Sequence, residues 1–162
     1  MKVKFGEENP DVSFTQSVPK DLLEDKKAFK QFVSIFGEFD DAEAAYYKKL
    51  NWHWEKCSEK DIIDNLTNKT KKLFLAKIRD EIVGFATLWA SKIDGTYSIA
   101  QIAVASKHRN KKIGRRLLQF IFDNVDGDLC LTVTITNDAG KHLYESVGFK
   151  TISQFMWRKH KK

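Results

Sequence analysis

Arg109-Asn110-Lys111-Lys112-Ile113-Gly114-Arg115 lies between an apolar run that ends at Val104 and an amphipathic pattern that starts at Ile113. The order is therefore strand, basic turn, helix start. Amide groups in such a turn and in the first helical turn have no intrahelical partners, and the helix dipole adds partial positive charge where they point. A pyrophosphate fits there.

The pattern extends in both directions from this stretch. Upstream, Leu73 to Ile78 and Ile82 to Ala90 flank Arg79-Asp80-Glu81 with hairpin spacing, and Thr96 to Val104 follows the Asp94-Gly95 turn, which predicts three antiparallel strands. Downstream, Ile113, Leu117, Leu118, Ile121, Phe122 and Val125 share one helical face. Leu129, Leu131, Val133 and Ile135 then alternate with Cys130, Thr132, Thr134 and Thr136, as in a strand reached by a crossover helix and hence parallel to the one before it. A last helix from about Ala139 to Val147 stops at Gly148, and Phe149 to Trp157 reads as a closing strand. Toward the start of the chain, Val12 to Ser17 reads as an opening strand. Pro19 begins a helix through Leu22, Phe29, Phe32 and Phe36 to Gly37. Asp40 or Asp41 caps a second helix through Tyr47 to Trp54, and Ser58 caps a third through Ile62 to Leu66.

Composition bounds the rest. A chain of 162 residues, 42% apolar and 12% aromatic, suits one domain with a sizeable core. No apolar run reaches the roughly 20 residues of a membrane span, and Met1-Lys2-Val3-Lys4 leads into Glu7-Glu8-Asn9-Pro10 rather than a leader core. A cytoplasmic protein with no membrane partner is the expectation. Cys57 and Cys130 fit neither a disulfide framework nor zinc spacing, and the four histidines show no metal-ligand spacing, so no metal is expected. The net charge of +6 concentrates at Lys107 to Arg116 and Arg158 to Lys162, which attracts an anionic ligand or a polyanion.

Two separated segments resemble the Gcn5-related N-acetyltransferase (GNAT) family. Arg109 to Gly114 matches the family's phosphate signature of Gln or Arg, two residues, Gly, one residue, then Gly or Ala, except at Lys112. Asn137 to Phe149 matches its second segment, with the Asn, a Tyr seven residues on at Tyr144, and the terminal Gly148-Phe149. The resemblance implies an α/β fold with a mixed antiparallel and parallel sheet of six to seven strands, four or five flanking helices and a splayed central strand pair. It implies one domain over residues 1–162, with variable acceptor-side helices in 1–70 and an acetyl-CoA-binding core in 71–158. Acetyl-CoA would be the co-substrate and an amine the acceptor, with homodimers common in the family.

The residue assignments follow the same resemblance. The strand ending Ile102-Ala103-Val104 would diverge from the one ending Ile135-Thr136, and the coenzyme's pantetheine arm would lie in the wedge as a missing strand, contacted by main-chain atoms of Ile102, Ala103 and Val104 and by Asn137. Arg109, Asn110, Lys111, Lys112, Ile113, Gly114 and Arg115 would hold the pyrophosphate. Tyr144 would protonate the departing thiolate. At Lys112 a helical backbone keeps the loop intact, because backbone amides do the binding; a positive φ would strain it by about 1 kcal/mol or more.

The proton acceptor for the attacking amine is not written in the motif. Members acting on histones carry a Glu that aligns with Ser98, and members acting on ribosomal proteins a Glu that aligns with Thr132, so neither position holds a base here. Glu43, His53 and Glu55 on the acceptor-side helices are alternatives, and a water chain to solvent is the preferred reading. Two rival functions remain: a non-catalytic acyl-CoA sensor, favoured by the missing Glu positions, and a basic nucleic-acid-binding domain, disfavoured because no recognised motif accompanies the charge. Blander readings also stand. Trp52-His53-Trp54 reads as core packing on a helix, Glu38-to-Glu43 as helix-start carboxylates, and His108 as a surface residue.

Overall fold

The computed structural model describes residues 11–156. Strands β1 (Val12–Ser17), β2 (Lys71–Ile78), β3 (Glu81–Ala90), β4 (Thr96–Val104) and β5 (Asp128–Leu131) form one sheet in chain order. Every neighbouring pair is antiparallel except β4 with β5, which is parallel. Helices α1 (Pro19–Glu24), α2 (Lys26–Lys49), α3 (Glu59–Leu66), α4 (Ile113–Asn124) and α5 (Asp138–Ser146) flank it. This is the expected mixed sheet with five strands rather than six or seven. No helix among the described residues is long and apolar enough to cross a membrane.

Period-two alternation distributes the core between two faces. Leu73, Leu75 and Phe85 meet Phe32, Ile35 and Phe36 of α2 and Ile62 and Leu66 of α3. Phe74, Ala86 and Leu88 point the other way, against Leu117, Leu118 and Ile121 of α4, with Leu143 and Tyr144 of α5 at the margin.

The helical region departs from its sequence reading at Gly37. Asp25 breaks the chain early, accepting hydrogen bonds from the Lys27 and Ala28 amides, and α2 then runs through Gly37 without interruption. A mid-helix glycine costs about 1 kcal/mol relative to alanine; burial of Phe32, Ile35 and Phe36 before it outweighs that cost. Asp40 is not a cap. It is buried, and its carboxylate accepts from Trp54 Nε1 at 3.1 Å and the Cys57 amide at 2.8 Å, so Trp52-His53-Trp54 lies in a loop drawn onto α2 rather than on a helix. Ser58 does cap α3, with Asp61 completing a reciprocal capping box.

The C-terminal half of the sheet is shorter than its alternation predicts. β5 ends at Leu131, because residues 132–136 leave the sheet for α2: the Thr134 hydroxyl donates to Glu43 at 3.2 Å and the Thr136 hydroxyl to the Tyr46 carbonyl at 2.9 Å. Four residues are then all that a closing strand could pair with. The expected strand from Phe149 does not form over residues 149–156, where Ile152, Phe155 and Met156 are 91%, 83% and 87% exposed. Trp157 and the basic tail from Arg158 lie outside the described residues.

Candidate active site

The expected splayed pair lies at the edge of the described sheet rather than at its centre, where the parallel strands β4 and β5 part at one place. Parallel pairing runs from Thr96↔Asp128 to Ile99↔Leu131 and stops, while β4 continues to Val104. Ala100 is an extra residue at this point, since Thr87 pairs with Gln101 and Leu88 with Ile99. A bulge bends and twists the strand that contains it, so the end of β4 turns away from the chain beyond Leu131. On its other side that end is held close by Gly84, where a Cβ would stand 2.9 Å from the Ala103 carbonyl oxygen. Ile102, Ala103 and Val104 thus border the wedge between the end of β4 and the chain past Leu131.

The basic turn closes one end of the wedge. Residues Ser106–His108 form a short 3-10 turn, Arg109 is extended, and Asn110 and Lys112 have φ of 61° and 60°. Lys112 is the residue before α4, and no side chain caps that helix. Alternating handed conformations followed by an uncapped helix start gather backbone N–H groups into an anion-binding concavity. Gly114 lies in the first turn, packed where a Cβ would stand 3.4 Å from Leu143 Cδ2 and 3.7 Å from Val104 Cγ2, so α4 starts close against β4 and α5.

Side chains brace this turn more than they decorate it. Arg109 Nε donates to the Val104 carbonyl at 3.1 Å and its guanidinium pairs with Glu38 at 3.6 Å; Glu38 also accepts from the Ser106 amide at 2.7 Å. The Arg115 guanidinium donates to the Ser146 carbonyl at 2.7 Å, tying α4 to the end of α5. Lys111 and Lys112 are exposed. His108 is half-buried rather than superficial, and burial, then Lys107 and Lys111, hold its imidazole below the usual range and so uncharged at neutral pH.

The open question at Lys112 resolves to the left-handed conformation, which costs a non-glycine residue about 1–2 kcal/mol. Lys112→Gly is therefore expected to raise stability by about 0.5–1 kcal/mol after the greater flexibility of unfolded glycine is deducted. A higher urea midpoint with an unchanged slope checks this. If acetyl-CoA affinity falls at the same time, the Lys112 side chain contributes to phosphate binding alongside the backbone.

Helix α5 carries Tyr144, packed at the margin of the core beneath α4. Asn137 caps α5 by accepting from the Gly140 amide at 2.8 Å, so its oxygen is engaged in the helix start. Tyr144, seven residues on, packs edge-on to Phe149. Its phenol is pushed up to about 12 by burial, by the Glu43 carboxylate and by Tyr46, and stays protonated at any physiological pH. Glu43 and Tyr46 are one turn apart on α2, so the structure brings the acceptor-side helix, the strand-end threonines and Tyr144 to one locus.

Two other sequence candidates separate from this locus. His53 and Glu55 are exposed in the loop after α2, whereas Glu43 is half-buried. Burial pushes the Glu43 carboxyl up, the Thr134 hydrogen bond opposes that, and Asp40 adds to the rise. Ser98 lies within the paired part of β4 opposite Cys130, and Thr132 is exposed just past β5. Among the described residues there is no group of His, Cys, Asp and Glu able to hold a metal ion.

A family profile described as an acetyltransferase (GNAT) domain matches residues 69–151. No curated protein matches the sequence. Several solved structures share the fold. The aminoglycoside acetyltransferase meta-AAC0020 from an uncultured soil metagenomic sample, in complex with sisomicin, is 16% identical with a TM-score of 0.64 over 96% of this chain and 99% of its own. AAC(6')-Iy in complex with the bisubstrate analog CoA-S-monomethyl-acetylneamine is 11% identical, TM-score 0.66, over 93% and 99%. The ribosomal-protein-S18-alanine N-acetyltransferase from Escherichia coli is 22% identical, TM-score 0.60, over 88% and 79%.

Proposed function

The chain belongs to the acetyltransferase (GNAT) domain family, and from that premise we propose that it transfers the acetyl group of acetyl-CoA directly to a primary amine. The observation that carries this reading is the loss of β4–β5 pairing after Ile99↔Leu131, beside the uncapped start of α4. The wedge suits an extended amide-bearing arm that hydrogen-bonds as a strand does, and the turn at Arg109–Lys112 suits the pyrophosphate at the end of that arm. Ile102, Ala103 and Val104 would contact the arm through main-chain atoms. Asn110, Lys111, Ile113 and Gly114 would offer amides to phosphate, and the Lys111 and Lys112 ammonium groups would add charge.

Direct transfer is favoured because neither cysteine has the setting of a nucleophile. Burial, then Asp40 and Asp61, push the Cys57 thiol up, away from the thiolate. Cys130 sits within the paired stretch of β5, upstream of the wedge. A neutral amine would attack the thioester carbonyl, a backbone N–H of β4 would polarise its oxygen, and Tyr144 would face the departing sulfur.

Acceptor chemistry is the finer part of the proposal. Asp40 is taken up by Trp54 and Cys57 and Asp41 by Lys56, so the half-buried Glu43 of α2 is the carboxylate that would favour a cationic amine. Calorimetry with acetyl-CoA, followed by thiol release with sisomicin, spermidine and an alanine-initiated peptide, tests the reading. Saturable binding and acetyl-CoA-dependent acetylation of at least one amine are expected. Binding with no turnover on any of them would instead support a sensor.

A further inference from the structure

We propose that the Glu43 carboxylate takes the proton of the acceptor ammonium. This assignment rests on the acetyl-transfer reading above and names the group that the family's usual positions lack in this chain.

Four observations converge on Glu43. It stands on α2, the helix that covers the strand ends, and the Thr134 hydroxyl just beyond β5 donates to it at 3.2 Å. Its neighbour one turn on, Tyr46, receives the Thr136 hydroxyl through its carbonyl, so the contact is one of two that fix α2 on this segment. Its charge also bears on the buried Tyr144 phenol, the group proposed to face the leaving sulfur. Finally, it is half-buried with no cationic side chain among its hydrogen-bond or charge partners within the described residues. The charged and polar groups around it are Asp40 from its own helix, Thr134 from the strand end and Tyr144 from α5, none of which neutralises it. A cationic acceptor does.

The proton balance follows. An ammonium donates one proton to Glu43 and becomes the neutral amine, whose lone pair forms the N–C bond to the acetyl carbonyl carbon. The C–S bond breaks, its electron pair goes to sulfur, and the Tyr144 hydroxyl supplies the proton that makes the free thiol. The second nitrogen proton returns to the Tyr144 oxygen, leaving a neutral amide. Glu43 then releases its proton to solvent, so that one ammonium and one thioester give one amide, one thiol and one proton.

Glu43→Gln tests this in the full chain, since the amide oxygen still accepts from Thr134 and preserves the fold. With an amine that the wild-type chain acetylates, kcat/KM at pH 7 is expected to fall about thirtyfold while acetyl-CoA binding stays within about twofold. The deficit should narrow as the pH nears about 10, where free amine arrives from solution. The wild-type ascending limb should lie above the ordinary carboxylate range and vanish in Glu43→Gln. A second variant, Thr134→Val, removes the hydrogen bond that lowers the Glu43 carboxyl, so its ascending limb should move to higher pH. If Glu43→Gln stays within twofold of wild type with the same pH profile, the assignment is wrong although the chain remains an acetyltransferase. If the wild-type chain acetylates no amine, both readings fall together.

Discussion

Tyr144→Phe is expected to lower kcat about a hundredfold while leaving acetyl-CoA affinity within about twofold. The expectation rests on what the phenol can do where it sits. Pushed up to about 12, it is fully protonated at neutral pH and always able to donate, yet it is a weaker acid than a thiol near about 8.5. Outright transfer of its proton to the thiolate would be uphill by about 5 kcal/mol, at about 1.4 kcal/mol per pK unit. On the proposed reading Tyr144 would therefore work as a relay, giving its proton to sulfur as the strongly acidic N–H of the newly acylated nitrogen gives one back. Phenylalanine keeps the ring against Phe149 and removes only the relay, so binding survives and turnover does not. Mass-spectrometric acetylation rates paired with calorimetry check both halves. An unchanged rate would remove Tyr144 from the chemistry.

The same residues show how far the sequence could be read. Local chemistry was sufficient wherever the decisive partners lie nearby: β1 and β4 have the expected bounds, Ser58 caps α3, and the Asn137-to-Tyr144 spacing places a cap and a phenol on one helix. It was insufficient where a distant contact overrides the local signal. Asp40 has the look of a helix cap, but its partners are Trp54 and Cys57, 14 and 17 residues on. The alternation from Leu129 to Ile135 is the same whether or not a strand continues, and ties to Glu43 and Tyr46, 91 and 90 residues away, end it at Leu131. Glu43 was one of several acidic residues in the chain and became distinct only through those contacts. Lys112 was ambiguous for a different reason: whether φ is positive depends on how the turn must bend to start α4, which no side chain announces.

Phe85→Ala is expected to cost about 3–5 kcal/mol, a large part of the roughly 5–15 kcal/mol that holds a domain together. Phe85 is fully buried on β3, 4.5 Å from the Phe32 ring and stacked 5.7 Å from Phe36, and these contacts seat α2 on the sheet. Alanine leaves a void that the long α2 helix and the two neighbouring strands cannot close without moving. The consequence is functional as well as structural, because α2 carries Glu38, which braces the turn before α4, and Glu43, which meets Thr134. A much lower urea midpoint should therefore accompany weaker acetyl-CoA binding and slower acetylation, whereas Tyr144→Phe separates binding from rate. Ligand linkage distinguishes the two effects. Acetyl-CoA at about one hundred times its dissociation constant adds about 2.7 kcal/mol to any chain whose folded form alone binds it. Phe85→Ala should recover most of its lost stability under those conditions, and failure to do so would mean that the folded variant no longer binds acetyl-CoA, whereas an unchanged urea midpoint without ligand would mean that α2 does not depend on this ring for its seat.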